Sequence, residues 1–292
     1  MSEEGYIDFQ LYRYDPSLPA AITSTVVFGI LTGLHVWRLI KTRSLYFIPF
    51  AVGGVCCAVE TCGYAARIAS HFDRESIPAF SIQAIFILVG PALYAASIYM
   101  ILGRIIISLR AEHLSLIPIS WVTRIFVCGD IISFSLQAAG GGYQASGTLE
   151  AYETGETVII AGLFIQIAVF GFFVVTSCLF HYRCLRSPTP TAAEEVIPWR
   201  TDLYVLYAVS AIILVRSVFR VIEYLQGNSG YLISHEIFLY VFDAILMAIV
   251  MIIFLIWYVD HLDKKKKRGK SHERLDSSER EMELGLRDAT HK

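Results

Sequence analysis

The sequence contains seven apolar segments that are each long enough to cross a lipid bilayer. A hydrocarbon core about 30 Å thick requires roughly 20 mainly apolar residues in each transmembrane helix. The segments cover approximately residues 19–40, 46–69, 79–107, 121–143, 157–181, 202–224 and 235–260. Lipid satisfies no backbone polar groups, so a spanning segment is a helix or part of a closed barrel, and the two-residue alternation of barrel strands is missing. The sequence therefore predicts an all-α integral membrane bundle of seven transmembrane helices.

The composition agrees with lipid as the surrounding solvent. Charged residues make up 17% of the chain, whereas soluble domains carry about a quarter. The connections between the apolar segments are short, so no soluble domain is inserted. We predict an extracellular segment at residues 1–18, a transmembrane domain at residues 19–263 and a cytosolic tail at residues 264–292. The tail is polar, basic at its start and free of aromatic residues, so we expect it to be disordered.

The distribution of lysine and arginine predicts the orientation, because these residues concentrate on the cytosolic side of membrane proteins. Fifteen of them lie near segment ends on one side of the predicted bundle, and three lie on the other. The richer side holds the C-terminus, so the N-terminus is predicted to lie outside the cell. We expect the basic run Lys264–Lys270 to bind anionic lipids of the inner leaflet. A role of this run in setting the topology explains it equally well.

Charged, amide and tyrosine side chains interrupt the apolar segments. An ionised side chain at the middle of a membrane helix costs about 2.5 to 3.5 kcal/mol, so such residues normally face the bundle interior. In the second, sixth and seventh segments they recur at spacings of i, i+4 and i+7, which share one helix face. The candidate binding residues are Glu60, Tyr64, Arg67, Gln83, Tyr94, Asp130, Gln137, Gln166, Arg216, Arg220, Glu223, Glu236, Tyr240 and Asp243.

In the predicted orientation most of these groups fall in the outer half of the bilayer, with Asp130 and Asp243 nearer its middle. We interpret them as a polar pocket that receives a guest molecule beneath the outer surface. The alternative is a structural network, in which three arginines pair with five acids only to hold the helices together. The excess of acids favours a cationic guest or a proton, provided that all of them are ionised.

Several classes of function are disfavoured by what the sequence lacks. There is no glycine-rich phosphate loop followed by lysine and serine or threonine, so ATP is not the predicted energy source. The histidines are scattered singly, and no catalytic set can be assembled. We therefore predict that the chain is not an enzyme and has no catalytic residues, metal site, cofactor or nucleic-acid partner. A rhodopsin-type receptor is disfavoured because the third segment ends in LGRIII and the seventh lacks an Asn-Pro pair. A receptor of unrelated sequence is left open.

Several sequence blocks between residues 14 and 260 occur in a characteristic order. They are YDPSLPAAI, ETCGYAAR, QAIFILVGPALYAASIYMILGR, VCGDIISFSLQAAGGG, AGLFIQ, RSVFRVIEYLQGNSGYLISHE and YVFDAILM. In these blocks the chain resembles the fungal lipid-translocating exporter family, which includes a 7-aminocholesterol-resistance protein and a sphingoid long-chain-base exporter.

The resemblance implies a multi-pass protein of the fungal plasma membrane that moves amphipathic lipids from the cytosolic to the outer leaflet. Sphingoid long-chain bases and toxic sterol-like compounds are the implied substrates, and some relatives are linked to porphyrin transport. In this hypothesis the carboxylates Glu60, Asp130, Glu236 and Asp243 receive an ammonium head group. The tyrosines and glutamines bind its hydroxyls, and the arginines position the carboxylates. A lipid-sensing receptor or regulator and a porphyrin or haem binder are the alternatives.

Overall fold

The computed structural model describes residues 17–42, 48–72, 77–144, 149–193, 198–227 and 230–257. Most of the predicted extracellular segment and the whole predicted tail, including Lys264–Lys270, lie outside the described residues. Within the described ranges the chain is helical and forms no strand. The predicted all-α class is therefore confirmed.

The described residues form long helices joined by short connections. The long helices are α1 (Leu18–Thr42), α2 (Ile48–Phe72), α3 (Ile77–Ser108), α4 (Ile119–Gln144), α5 (Leu149–Arg186), α6 (Trp199–Leu225) and α7 (Glu236–Ile256). A 3₁₀ turn at Glu112–Leu114 precedes α4, and a short helical turn at Pro190–Ala193 precedes α6. Helix α5 has 38 residues, so at about 1.5 Å per residue it is longer than a hydrocarbon core is thick.

Among the described residues, many large apolar side chains are exposed and eight charged side chains are buried, which is an arrangement expected in lipid. Large exposed side chains include Val26, Ile30, Ile132 and Ile222, whereas Arg67 is fully buried. Among the residues that the structure describes, six helices are long and apolar enough to cross a membrane, namely α1, α3, α4, α5, α6 and α7. The chain is thus an integral multi-pass membrane protein. The seventh crossing, by α2, and the orientation stay predictions.

Helix α3 lies at the centre of the bundle. It contacts α2, α4, α5 and α6, while α1 packs against α2 and α7, and α6 packs against α5 and α7. The polar residues of α2, α6 and α7 are consequently brought together beside α3.

Glycines allow α4 and α5 to approach closely. A Cβ atom built on Gly140 would lie 2.6 Å from the carbonyl oxygen of Gly155 and 2.7 Å from Cγ1 of Ile159. A Cβ built on Gly162 would lie 2.9 Å from the carbonyl oxygen of Ser133. Small residues at helix interfaces are a common packing device in membranes, where lipid provides little apolar driving force between helices.

Gly140→Ala is therefore expected to destabilise the protein. Its new methyl group meets the backbone of α5, which cannot yield unless the helix moves, and overpacking of this kind costs about 1 to 3 kcal/mol. The thermal unfolding midpoint in detergent should fall. Gly141→Ala is the matched control, because a Cβ there meets nothing within 4 Å. Equal midpoints for the two variants would contradict the close α4–α5 contact.

Candidate functional site

An ion pair joins α2 to the start of α7. Arg67 Nη2 donates to Glu236 Oε1 at 2.7 Å, and Arg67 Nε donates to the Tyr240 hydroxyl at 3.1 Å. The Tyr240 hydroxyl in turn donates to Glu236 Oε1 at 3.2 Å. The backbone N–H of Ser17 donates to both Glu236 oxygens, at 3.0 and 2.9 Å. We call Arg67, Glu236 and Tyr240 the outer cluster; it also ties the beginning of α1 to α7.

Two more ion pairs lie between α6 and α7. Arg216 Nε is 2.6 Å from Asp243 Oδ1, and Arg220 Nη1 donates to Glu223 Oε2 at 2.7 Å. Arg220 Nη1 also lies 3.7 Å from Asp243 Oδ2, so Asp243 links the two arginines. Arg216 Nη2 donates to the backbone carbonyl of Ile87 on α3 at 2.9 Å. Asp243 is 1% exposed, so arginines rather than water stabilise its charge.

A π-helical turn positions Asp243. Residues Tyr240–Ile245 of α7 form this turn, between α-helical residues on either side. A π-helical turn holds more residues than an α-helical turn, so it rotates the residues after it relative to those before it. Glu236 and Tyr240 accordingly contact α2, whereas Asp243 contacts α6. Turns of this kind are frequent at functional sites.

Glu60 and Tyr64 of α2 are buried and incompletely partnered. Glu60 is 1% exposed and Tyr64 is fully buried. Neither Glu60 Oε1 nor the Tyr64 hydroxyl has a hydrogen-bond partner within the described part of the chain. The Tyr64 ring stacks on Phe28 at 5.2 Å and faces Tyr240 at 6.2 Å between centroids. Buried polar groups without a partner in the protein are rare, and a functional role is one recognised reason for them.

Glu60 belongs to the same electrostatic neighbourhood as the α6–α7 ion pairs. It interacts electrostatically with Arg216, Arg220 and Asp243, although no arginine of the described residues forms an ion pair with it. We call Glu60, Arg216, Arg220, Glu223 and Asp243 the inner cluster. It contains three carboxyl groups and two guanidinium groups, so Glu60 is the acid without an arginine of its own.

Asp130 occupies a different place, between α3, α4 and α5. The Tyr99 hydroxyl donates to Asp130 Oδ2 at 2.9 Å. The Tyr99 ring packs against Phe126, Phe170 and Phe173, with centroids 5.2, 6.2 and 4.6 Å away. Among the described residues, Tyr99 is the polar partner of Asp130, and no arginine approaches it. Asp130 is therefore separate from both clusters.

Two of the predicted glutamines, Gln137 and Gln166, lie between α4 and α5. Gln137 Nε2 donates to the Ser133 hydroxyl at 2.9 Å and to Gln166 Oε1 at 3.1 Å, which joins α4 to α5. The Ser133 hydroxyl donates to the carbonyl of Gly162 at 2.7 Å. Gln83 is buried on α3, and Tyr94 stacks on Phe254 of α7 with a centroid distance of 6.3 Å.

The structure thus brings eight of the fourteen predicted binding residues into the two neighbouring clusters, with Tyr64 between them. It places Asp130, Gln137 and Gln166 apart, around α4 and α5. Arg67, Arg216 and Arg220 each have an acid within 2.7 Å, as the structural-network alternative requires, but neither Glu60 nor Asp130 forms an ion pair with an arginine of the described residues. The residues predicted from the sequence do not include Tyr99, which donates to Asp130, or Gly90, which faces Glu60. Residue spacing along α3 does not indicate which side chain of another helix each of them contacts. The described residues include no group of three or more histidines, cysteines or acids that could hold a metal ion.

Comparisons with known proteins agree with this picture of a membrane protein. The family described as RTA1 like protein matches residues 54–266. Protein RTA1 of Saccharomyces cerevisiae is 36% identical, over 88% of this chain and 86% of its own length. Protoporphyrin uptake protein 1 of the same yeast is 37% identical, over 84% of this chain and 91% of its length. Its sphingoid long-chain base transporter RSB1 is 28% identical, over 83% of this chain and 72% of its length. No solved structure matches the chain significantly.

Proposed function

Since the chain belongs to the RTA1-like family, we propose that it transports amphipathic lipids with a cationic head group, of the sphingoid long-chain-base class. Transport runs from the cytosolic to the outer leaflet of the plasma membrane, and ATP hydrolysis does not drive it. A relative named as a sphingoid long-chain base transporter supports this substrate class.

The observation that carries the proposal is the unmatched carboxyl group of Glu60 in the inner cluster. Arg216 and Arg220 are held by Asp243 and Glu223, so a further positive charge is required to balance Glu60 when it is ionised. Ionisable groups at such depth in a membrane protein are costly and mark substrate or proton pathways. A primary ammonium supplies one positive charge and three hydrogen-bond donors. The unpartnered Glu60 Oε1 and Tyr64 hydroxyl oxygen are suitable acceptors for those donors.

The apolar exterior of the bundle suits the remainder of such a substrate. A single hydrocarbon chain gains no more from protein than from lipid, so it can stay in the bilayer while the head group enters the interior. Recognition is then concentrated in the head group, which agrees with the concentration of polar residues in two clusters. Asp130 with Tyr99 forms a separate polar site that this transport scheme does not require.

Porphyrin transport is the second candidate, and the relative named protoporphyrin uptake protein 1 favours it. A porphyrin with carboxylate side chains would seek arginines. Arg67, Arg216 and Arg220 each already hold a carboxylate, so such a substrate has to displace an acid of the protein. A cationic head group can bind Glu60 without displacing a group of the protein. For this reason we favour a long-chain base over a porphyrin as the substrate.

The test is efflux of labelled phytosphingosine from cells that express each variant at equal level. Glu60→Gln removes the unmatched charge and keeps the size of the side chain. A loss of only about 1.4 kcal/mol of head-group binding weakens affinity tenfold, so we expect efflux to fall about tenfold or more. Glu153→Gln, the same substitution at an exposed position of α5, should behave as wild type.

Unchanged efflux in Glu60→Gln would reject the inner cluster as the binding site. A parallel measurement of cellular protoporphyrin separates the second candidate. If protoporphyrin transport depends on the chain while phytosphingosine efflux does not, the substrate class is wrong.

A further inference from the structure

We infer that Glu60 exchanges a proton for the positive charge of the substrate, so that lipid export is coupled to proton movement in the opposite direction. This inference rests on the proposed function and adds to it an energy source. It follows from the burial of Glu60, from its missing partner and from the charge balance of the inner cluster.

The charge balance of the inner cluster determines which group can bind at Glu60. Two arginines face two acids of their own, Asp243 and Glu223, at distances of 2.6 and 2.7 Å. These pairs are neutral, so an ionised Glu60 adds an uncompensated negative charge to an interior where it is 1% exposed. A proton on the Glu60 carboxyl restores neutrality in the absence of substrate. A cationic head group restores it in the same way when the proton has left.

The neighbours of Glu60 permit this exchange. Arg216 and Arg220 of α6 and Asp243 of α7 are the charged groups that act on it, and Tyr64 lies one turn further along its own helix. Helix α3 presents Gly90, which leaves room for the carboxyl group. Arg216 and Arg220 form ion pairs with Asp243 and Glu223, so neither forms a permanent ion pair with Glu60.

Exchange at one carboxyl group produces antiport. The O–H bond of the Glu60 carboxyl breaks as the ammonium arrives, and the proton passes to water on the side to which the site is open. When the substrate leaves on the other side, Glu60 takes a proton from water there. Each exported cation is thus replaced by one imported proton, and the charge inside the bundle stays constant throughout the cycle.

Binding to the purified full-length chain in nanodiscs of zwitterionic lipid tests the exchange. N,N,N-trimethylsphingosine is the probe, because its quaternary ammonium does not titrate, and N-acetylsphingosine is the neutral control. If one proton is released for each cation bound, affinity for the probe rises tenfold for each unit of pH wherever Glu60 is protonated in the empty protein. Affinity for the neutral control should not change with pH.

Glu60→Gln should bind the probe as weakly as wild type does at low pH and should show no increase as the pH rises. Binding at low pH also reports that this variant is folded. Glu60→Met, with a neutral side chain of similar length, replaces it if glutamine prevents folding.

The outcomes separate the inference from the proposed function. Affinity of the wild type that is independent of pH overturns the exchange, as does a pH dependence that persists in the neutral variants. Binding of a primary sphingoid base, which is cationic at pH 7, without release of one proton to a weakly buffered solution also overturns it, whether or not the probe binds. If no long-chain base binds beyond the level of empty nanodiscs, the proposed function itself fails.

Discussion

Asp243→Asn is expected to destabilise the protein by about 3 to 5 kcal/mol, the usual consequence of removing one partner from a buried ion pair. Arg216 then keeps its hydrogen bond to the Ile87 carbonyl but loses the carboxylate 2.6 Å from its Nε. The second contact of Arg220, at 3.7 Å from Asp243, is lost as well. The measurement is the thermal unfolding midpoint of purified protein in one detergent.

The double variant Arg216→Gln with Asp243→Asn should recover much of this loss. It removes both charges, so no guanidinium is left without compensation, and two amides can bond to each other. Replacing a whole buried pair by neutral groups is often tolerated where removing one member is not. If the unfolding midpoint of the double variant falls by the sum of the falls in Arg216→Gln and Asp243→Asn, the two side chains do not interact.

Glu236→Gln is the matched comparison in the outer cluster. The Glu236 side chain is 14% exposed, and the Tyr240 hydroxyl still accepts a hydrogen bond from Arg67 in its absence. Water and this hydroxyl offset part of the lost charge, so the midpoint should fall less than in Asp243→Asn. An equal or larger fall would contradict the greater isolation of Asp243.

The helices could be predicted from the sequence because lipid offers no hydrogen-bond partners to the backbone, so an apolar spanning segment has to satisfy its own N–H and C=O groups. Every long described helix coincides with one of the apolar segments. The ends were less predictable: α5 begins at Leu149, so Glu150, Glu153 and Glu156 lie in its first turns rather than in a loop. Hydrophobicity indicates the part of a helix that contacts lipid. It does not indicate whether the helix continues for further turns beyond the apolar segment.

The sequence indicates which residues belong to the candidate site, but it does not indicate which acid each arginine contacts. Spacing places Glu60 and Arg67 on one face of α2, yet Arg67 reaches Glu236 while Glu60 lies beside Arg216 and Asp243. Which acid an arginine meets depends on the depth at which two helices pack, and this depth is set by side chains along their whole interface.

The π-helical turn in α7 could not be predicted from the spacing of its polar residues. Glu236, Tyr240 and Asp243 are one face of an ideal α-helix, but the wider turn directs Asp243 towards α6. Asp130 illustrates a different limit, because its burial in the bundle was expected and its isolation from the arginines was not. A carboxyl group satisfied by one tyrosine hydroxyl looks the same in the sequence as one satisfied by an arginine.

Gly90→Ala should abolish most efflux while the protein stays folded. A Cβ atom on Gly90 would lie 2.7 Å from Cδ and 2.9 Å from Cγ of Glu60, with the Oε1 atom also in contact. These atoms are the end of a flexible side chain, so the carboxyl group can move aside without displacement of either helix. The unfolding midpoint should therefore stay near that of wild type, and the Glu60 carboxyl should no longer occupy its place in the inner cluster.

Gly103→Ala separates this effect from a general effect of alanine in α3. It lies on the same helix, and a Cβ atom there meets nothing within 4 Å. Its efflux of labelled phytosphingosine should equal that of wild type, whereas Gly90→Ala should reduce efflux at least as far as Glu60→Gln does. Wild-type efflux in Gly90→Ala would mean that transport does not depend on where the Glu60 carboxyl lies. A large fall in its unfolding midpoint would mean instead that this carboxyl is held rigidly as part of the structural core.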